Sequence, residues 1–220
     1  MLTKLIYPTD KICYFCRELS NKIEDYLCPE CRLRIEIINS YRHIKSDYLK
    51  GVYSSLLYTS ITKDLLHSFK FEEGSYLFRP LAQIMSNTIT NRDIKGIDLI
   101  IPVPLHRRRE AIRGYNQSYL LAKEIGRITE LEVKNKILIK STGTRSQSRL
   151  NFNDRLINLN GVFNIRNRQE IKNKNILLID DIVTTGATLI ECSKILHEAG
   201  ARSITGLTLT TTSTMGIEKQ

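Results

Sequence analysis

The chain has 220 residues, 41% of them hydrophobic and 25% charged, with a formal net charge of +10. These proportions describe a soluble globular protein of one ordinary domain plus a small module. They exclude membrane insertion, because no apolar run approaches the roughly 18 residues of a span. The stretch "MLTKLIYPTDKIC" has too short an apolar part for a signal peptide, so the expected compartment is the cytoplasm.

Four of the five cysteines fall in "CYFCRELSNKIEDYLCPEC". Cys13 and Cys16 form one C-x2-C knuckle, and Cys28 and Cys31 form a second. Two such knuckles offer four thiolates to one tetrahedral ion, and structural zinc is the expected occupant. A redox dithiol and an iron–sulfur cluster are the alternatives. Residues 1–45 are too few to bury a core of their own, so a metal would supply the missing stability. Residues 46–220 are expected to form the main domain.

Along that domain "SITKDLLHSFKFEEG" places Ile61, Leu65, Leu66 and Phe69 at helical spacing. "SYLFRPLAQIMSNTI" repeats the period, and "IDLIIPVP" is a short strand stopped by Pro102 and Pro104. "GYNQSYLLAKEIGRI" is helical again. "KILIK" and "GVFNI" read as strands on either side of a polar stretch, expected to be a loop or hood over about 141–160. "NILLID" is a strand, "ATLIECSKILHEAG" a helix and "SITGLTLT" a strand, followed by a frayed tail. Strands alternating with helices predict an α/β fold with an open, mostly parallel sheet. Cys192, at helical spacing with Leu189 and Leu196, reads as a buried small apolar residue.

The positive charge is concentrated. Between Lys134 and Lys174 ten Lys or Arg face only Asp154 and Glu170. Such a segment suits a phosphorylated small molecule, a nucleic acid or an acidic protein, and a solvated basic surface would explain the same charges.

In "ILLIDDIVTTGATL" two carboxylates follow an apolar run and a hydroxyl-rich turn follows them. Ligands of open parallel sheets sit beyond the carboxyl ends of strands. The turn enters a helix, so backbone N–H groups and the hydroxyls of Thr184, Thr185 and Thr188 can face one anion. Gly186 permits close approach, and Ala187 completes the turn. Asp180 and Asp181 suit diol hydroxyls or water bound to Mg²⁺. A sugar phosphate satisfies both halves. An N-capping aspartate ahead of an ordinary helix would account for one carboxylate and not the pair.

This stretch resembles the phosphoribosyl pyrophosphate (PRPP) signature of type I phosphoribosyltransferases, over Ile176 to Thr188. The wider chain is similar to the ComF/GntX group, through the four-cysteine module, "FKFEEG", "IIPVPLHRRREAIRGYNQSYLLA", "TRSQSRLNFNDRLINLNGVF" and the signature. The resemblance implies the phosphoribosyltransferase fold and catalytic Asp180 and Asp181 on the ribose hydroxyls. It places the 5′-phosphate on Thr184 to Thr188, and Mg²⁺ entering with PRPP. His106, Arg109, Arg113, Asn116 and Gln117 would lie near the pyrophosphate, with Arg145 and Gln147 closing over the ligand from the hood. Lys70 matches a family position whose chemistry the sequence does not reveal.

Three functions fit: a PRPP-dependent transferase, a DNA-uptake component that binds single-stranded DNA beside a competence helicase, and a scaffold that senses PRPP. The intact Asp-Asp-Thr-Thr-Gly run favours a retained ligand.

Overall fold

The computed structural model describes residues 11–71, 74–141 and 162–212. Its centre is a six-stranded sheet in the order β1-β2-β8-β7-β3-β4. The strands are β1 (Ile37–Arg42), β2 (Val52–Leu57), β3 (Leu99–Pro102), β4 (Glu132–Val133), β7 (Asn175–Val183) and β8 (Ser203–Thr211). Only β1 and β2 pair antiparallel; every other neighbouring pair is parallel. A separate antiparallel pair joins β5 (Leu138–Lys140) to β6 (Phe163–Ile165).

The sheet is buried on both faces, and the period of two along its strands divides the core. Leu99, Ile101, Ile176, Leu178 and Ile204 face one cluster, which includes Leu189, Cys192 and Leu196 of α6 (Ala187–Glu198) and Phe163 of β6. Ile100, Leu177, Ile179 and Leu207 face the other. That second cluster takes in α2 (Ser60–Phe71), α3 (Phe78–Asn91) and α5 (Gln117–Thr129), and also Cys13, Cys28 and Cys31. The cysteine segment thus shares a core with the main sheet, and its short helix α1 (Pro29–Arg34) starts inside the second knuckle.

The predicted helices and strands are all present, and the sheet is α/β and mostly parallel as expected. The sequence reading did not place α1, β1, β2, β4 or the seven-residue helix α4 (Arg107–Arg113). β1 and β2 carry serines and tyrosines inside their spans, "INSYR" and "VYSSLL", which dilutes the apolar alternation. Ser54 is nevertheless buried and bonds the Thr208 hydroxyl at 2.9 Å. Cys192 is fully buried. No helix among the described residues is long and apolar enough to cross a membrane.

Candidate sugar-phosphate site

Asp180 and Asp181 are the sixth and seventh of the nine residues of β7, inside the strand and not beyond its end. Backbone pairing continues past them, with Ile182 opposite Thr210 and Val183 opposite Thr211. Asp181 is 8% exposed and pairs with Lys70 Nζ from the last turn of α2. Lys70 is placed there because the Tyr115 hydroxyl donates to the carbonyl of Phe69, its neighbour. Asp180 is half-buried; its Oδ1 accepts from Ser118 Oγ at 2.9 Å and from the Asp181 N–H at 2.9 Å.

The two carboxyls are driven apart. Burial, then the neighbouring negative charge, pushes Asp180 up to about 7. Burial acts on Asp181 in the same direction, but the Lys70 ammonium outweighs it and holds that carboxyl below the usual range.

The following turn is built for close approach. Gly186 has φ 87° and caps α6 without a side chain, so first-turn N–H groups face a small recess of about 30 Å³ lined by residues 182–189 and Asp180. A Cβ on Gly186 would stand 2.7 Å from Ile44 Cδ1. Behind the turn, Arg42 Nη1 donates to the Thr184 carbonyl at 3.1 Å. Arg42 Nε and Nη2 are buried with no hydrogen bond among the described residues. Arg42 lies at the end of β1, 142 positions away, and no local motif marks it.

Two larger cavities adjoin the turn. The inner one, about 250 Å³, brings together Lys70, Arg109, Arg113, Asn116, Gln117, Ser118, Lys140, Asp180, Asp181, Thr184 and Thr188. Thr185, Gly186 and Ala187 line the small recess beside it. His106 lies in the outer cavity, about 460 Å³, where its Nδ1 accepts from the Arg108 N–H at the start of α4. Arg145 and Gln147, with Arg149 and Arg155, lie outside the described residues.

Asn116 has a structural duty as well. Its side chain caps α5 by accepting from the Ser118 N–H and donates to the Val103 carbonyl, tying β3's loop to the helix. Arg113 donates to Gln117 Oε1 at 2.8 Å and lies over the Phe71 ring. Gln117 Nε2 is buried with no hydrogen bond among the described residues, an orphan donor in a wall of the cavity.

The sequence reading missed Arg42 and Lys140, and the bond from Ser118 to Asp180. Ser118 was in view, inside "GYNQSY". A lysine ending the apolar run "KILIK" was the available signal for Lys140, which burial shifts downward.

The four cysteine sulfurs of the module lie within 4.8 Å of one another, and all four are free of disulfides. A tetrahedral ion with Zn–S bonds of about 2.3 Å requires S···S separations of about 3.8 Å, and Cys16 Sγ stands 3.9 Å from Cys28 Sγ. The N–H groups of Cys28 and Cys31 donate to Cys13 Sγ and Cys28 Sγ, each at 3.4 Å, as thiolate ligands require. The donor set fits a metal such as zinc.

This arrangement defines a phosphoribosyltransferase-like protein. The family model for the phosphoribosyl transferase domain matches residues 118–214. Competence protein ComFC of Bacillus subtilis is 30% identical over 215 residues, covering 93% of this chain and 86% of that one. Competence protein F of Haemophilus influenzae is 33% identical over 145 residues, covering 64% of this chain and 63% of that one. A hypoxanthine-guanine phosphoribosyltransferase of Bacillus anthracis superposes with a TM-score of 0.41 at 15% identity, over 66% of this chain and 74% of that one. The chain belongs to the ComF family.

Two outcomes follow from this geometry. Elemental analysis should find one zinc per chain, and stripping it with a chelator should lower Tm, since three of the four ligands lie in the shared core; an unchanged Tm would contradict a structural ion. The raised Asp180 group contributes stability fully present below its unfolded pKa and lost as pH rises through about 7. Asp180→Asn keeps an acceptor for Ser118 and the Asp181 N–H, so it should stabilise the free protein on the order of 2 kcal/mol at pH 8. The gain should shrink towards pH 5, as thermal melts across that range would show.

Proposed function

We propose that the inner cavity and its turn bind PRPP, and that the protein works as a PRPP-dependent transferase in DNA uptake. One observation carries this reading: the paired carboxylates and Arg109, Arg113 and Lys140 line the inner cavity, and the recess at the start of α6 adjoins it through Asp180, Thr184 and Thr188. A sugar phosphate needs that combination, and a nucleic-acid backbone would not call for two carboxylates. The competence relatives support the placement in DNA uptake. Single-stranded DNA and a helicase would then be partners of the surface, not of this cavity.

In this reading the 5′-phosphate rests on the N–H groups and hydroxyls of Thr184 to Thr188. Asp180 takes the ribose hydroxyls, because the charge of Asp181 is already committed to Lys70. Arg109 and Arg113 stand where a pyrophosphate would build negative charge. Mg²⁺ bound with PRPP would further neutralise that leaving group, and the Asp180 carboxylate fits water in its shell. The side chains orient and balance charge, and none needs to act as a nucleophile. Zinc in the four-cysteine cluster is structural.

Arg42 enters the same reading. By donating to the Thr184 carbonyl it polarises the peptide whose N–H belongs to Thr185, on the phosphate side of the turn.

Mg²⁺ with PRPP at about 100 times its Kd should stabilise the protein by about 2.7 kcal/mol, several degrees in Tm. Asp180→Asn with Asp181→Asn should abolish the shift while the protein still melts cooperatively; an undiminished shift would refute the site. Arg42→Gln should weaken ribose 5-phosphate about tenfold, or about 1.4 kcal/mol, and leave inorganic pyrophosphate unaffected in calorimetry. Equal losses for both ligands would mean that Arg42 merely supports the fold.

A further inference from the structure

The outer cavity has no part in holding the sugar phosphate, yet it opens beside it. Pro104, Leu105, Asn116 and Lys140 line both spaces, so the two meet across one short wall. Lys140 stands at that junction, half-buried, with its Nζ 5.1 Å from the centre of the Phe163 ring.

The charge of the outer cavity is one-sided. Arg107 comes from α4, Lys136 from the β4–β5 connection and Arg166 from the residue after β6, against Glu110 alone. Three separate elements therefore line one space with cationic residues, all three solvent-exposed. Among the described residues none of these three cations forms an ion pair, whereas nearby Lys134 is neutralised by Glu132 and Glu170 at 2.6 and 2.8 Å. Like charges converging without partners repel one another, and a bound anion would relieve the repulsion. Tyr119 from α5 adds an aromatic wall, and the volume is that of a small-molecule cleft.

We infer that the outer cavity holds the acceptor, and that this acceptor is a flat nitrogen compound bearing an acidic group, carboxylate or phosphate. The inference rests on PRPP occupying the inner cavity. The ring lies against Tyr119, and the acidic group is held by Arg107, Lys136 and Arg166, two of which offer forked donors to an oxyanion. In the transfer the acceptor nitrogen forms its bond to C1′ of the ribose. The bond from C1′ to the pyrophosphate oxygen breaks and its electron pair leaves with pyrophosphate; an amine acceptor then releases its N–H proton to water, whereas a pyridine-type nitrogen carries none and becomes a pyridinium. The neutral acceptors of the same shape are disfavoured because they leave the three cations facing one another.

The test is pyrophosphate release from Mg²⁺ and PRPP with matched amines: aniline, 2-aminobenzoate and 4-aminophenyl phosphate. Pyridine-3-carboxylate and its amide form a second pair with a ring nitrogen. At least one acidic member should exceed its neutral partner by tenfold or more in kcat/KM, and the carboxylate and phosphate arms identify which oxyanion is preferred. Arg107→Gln with Arg166→Gln should bring that ratio towards one while the thermal shift with PRPP is unchanged. Equal or better turnover of the neutral members overturns the inference, as does no turnover of any acidic member by a protein that PRPP stabilises. Absence of the PRPP shift in the unmodified protein would instead remove the sugar-phosphate reading itself.

Discussion

Two adjacent carboxylates near the end of an apolar strand are the constraint around which this protein is arranged. Burying one unpaired carboxylate is unfavourable, and burying two side by side is worse, because each raises the cost of ionising the other. The chain answers by treating them differently. Asp181 receives a lysine from the far end of α2, and Asp180 receives a hydroxyl and a backbone N–H. The result is one carboxylate fixed as an anion and one poised near neutrality. That asymmetry needs α2 and α5 held at fixed positions over the sheet. The Tyr115 hydroxyl on the Phe69 carbonyl and the Asn116 cap on α5 are the bonds that hold them.

The same economy appears on the other side of the turn. Gly186 can take its left-handed conformation with Ile44 packed against it, and Arg42 grips the Thr184 carbonyl from the only antiparallel edge of the sheet. A strand hairpin that looks like a peripheral addition therefore packs behind the Thr184–Thr188 turn. Lys140 plays the corresponding part in front, standing where the inner cavity meets the outer one. Charge is placed around the site by β1, α2, α4 and β5 as well as by β7, and the first four lie outside the signature in sequence.

What was legible in the sequence follows from this division. β3, β7, α5, α6 and the parallel sheet could be read, because their apolar periods are long and uninterrupted. Asp180, Asp181 and the threonine-glycine turn could be read, because residue types that are costly in combination lie within nine positions. The cysteine spacing likewise stated its own geometry. Arg42 and Lys140 could not be read, since each is an ordinary cation at the end of an unremarkable strand until tertiary pairing brings it to the turn. Lys70 lies between: the segment "FKFEEG" was visible, but its role depends on a partner 111 positions later, which only the packing of α2 against β7 reveals. β1 and β2 were hidden for another reason, their buried serines being satisfied by cross-strand hydroxyl pairs such as Ser54 with Thr208.

The cysteine module is tied to the site by the same packing. Cys13, Cys28 and Cys31 contribute to the cluster that also contains Leu66 and Phe69 of α2, and Lys70 follows Phe69 directly. A metal in the module therefore does more than close a short N-terminal segment. That cluster packs against α2, whose last turn presents the ammonium that lowers the Asp181 carboxyl. Without the Lys70 ammonium, the burial that already acts on Asp181 would no longer be outweighed. One helix, α2, thus lies between the four-cysteine cluster and the paired carboxylates: its Leu66 and Phe69 share the cluster of Cys13, Cys28 and Cys31, and its Lys70 pairs with Asp181.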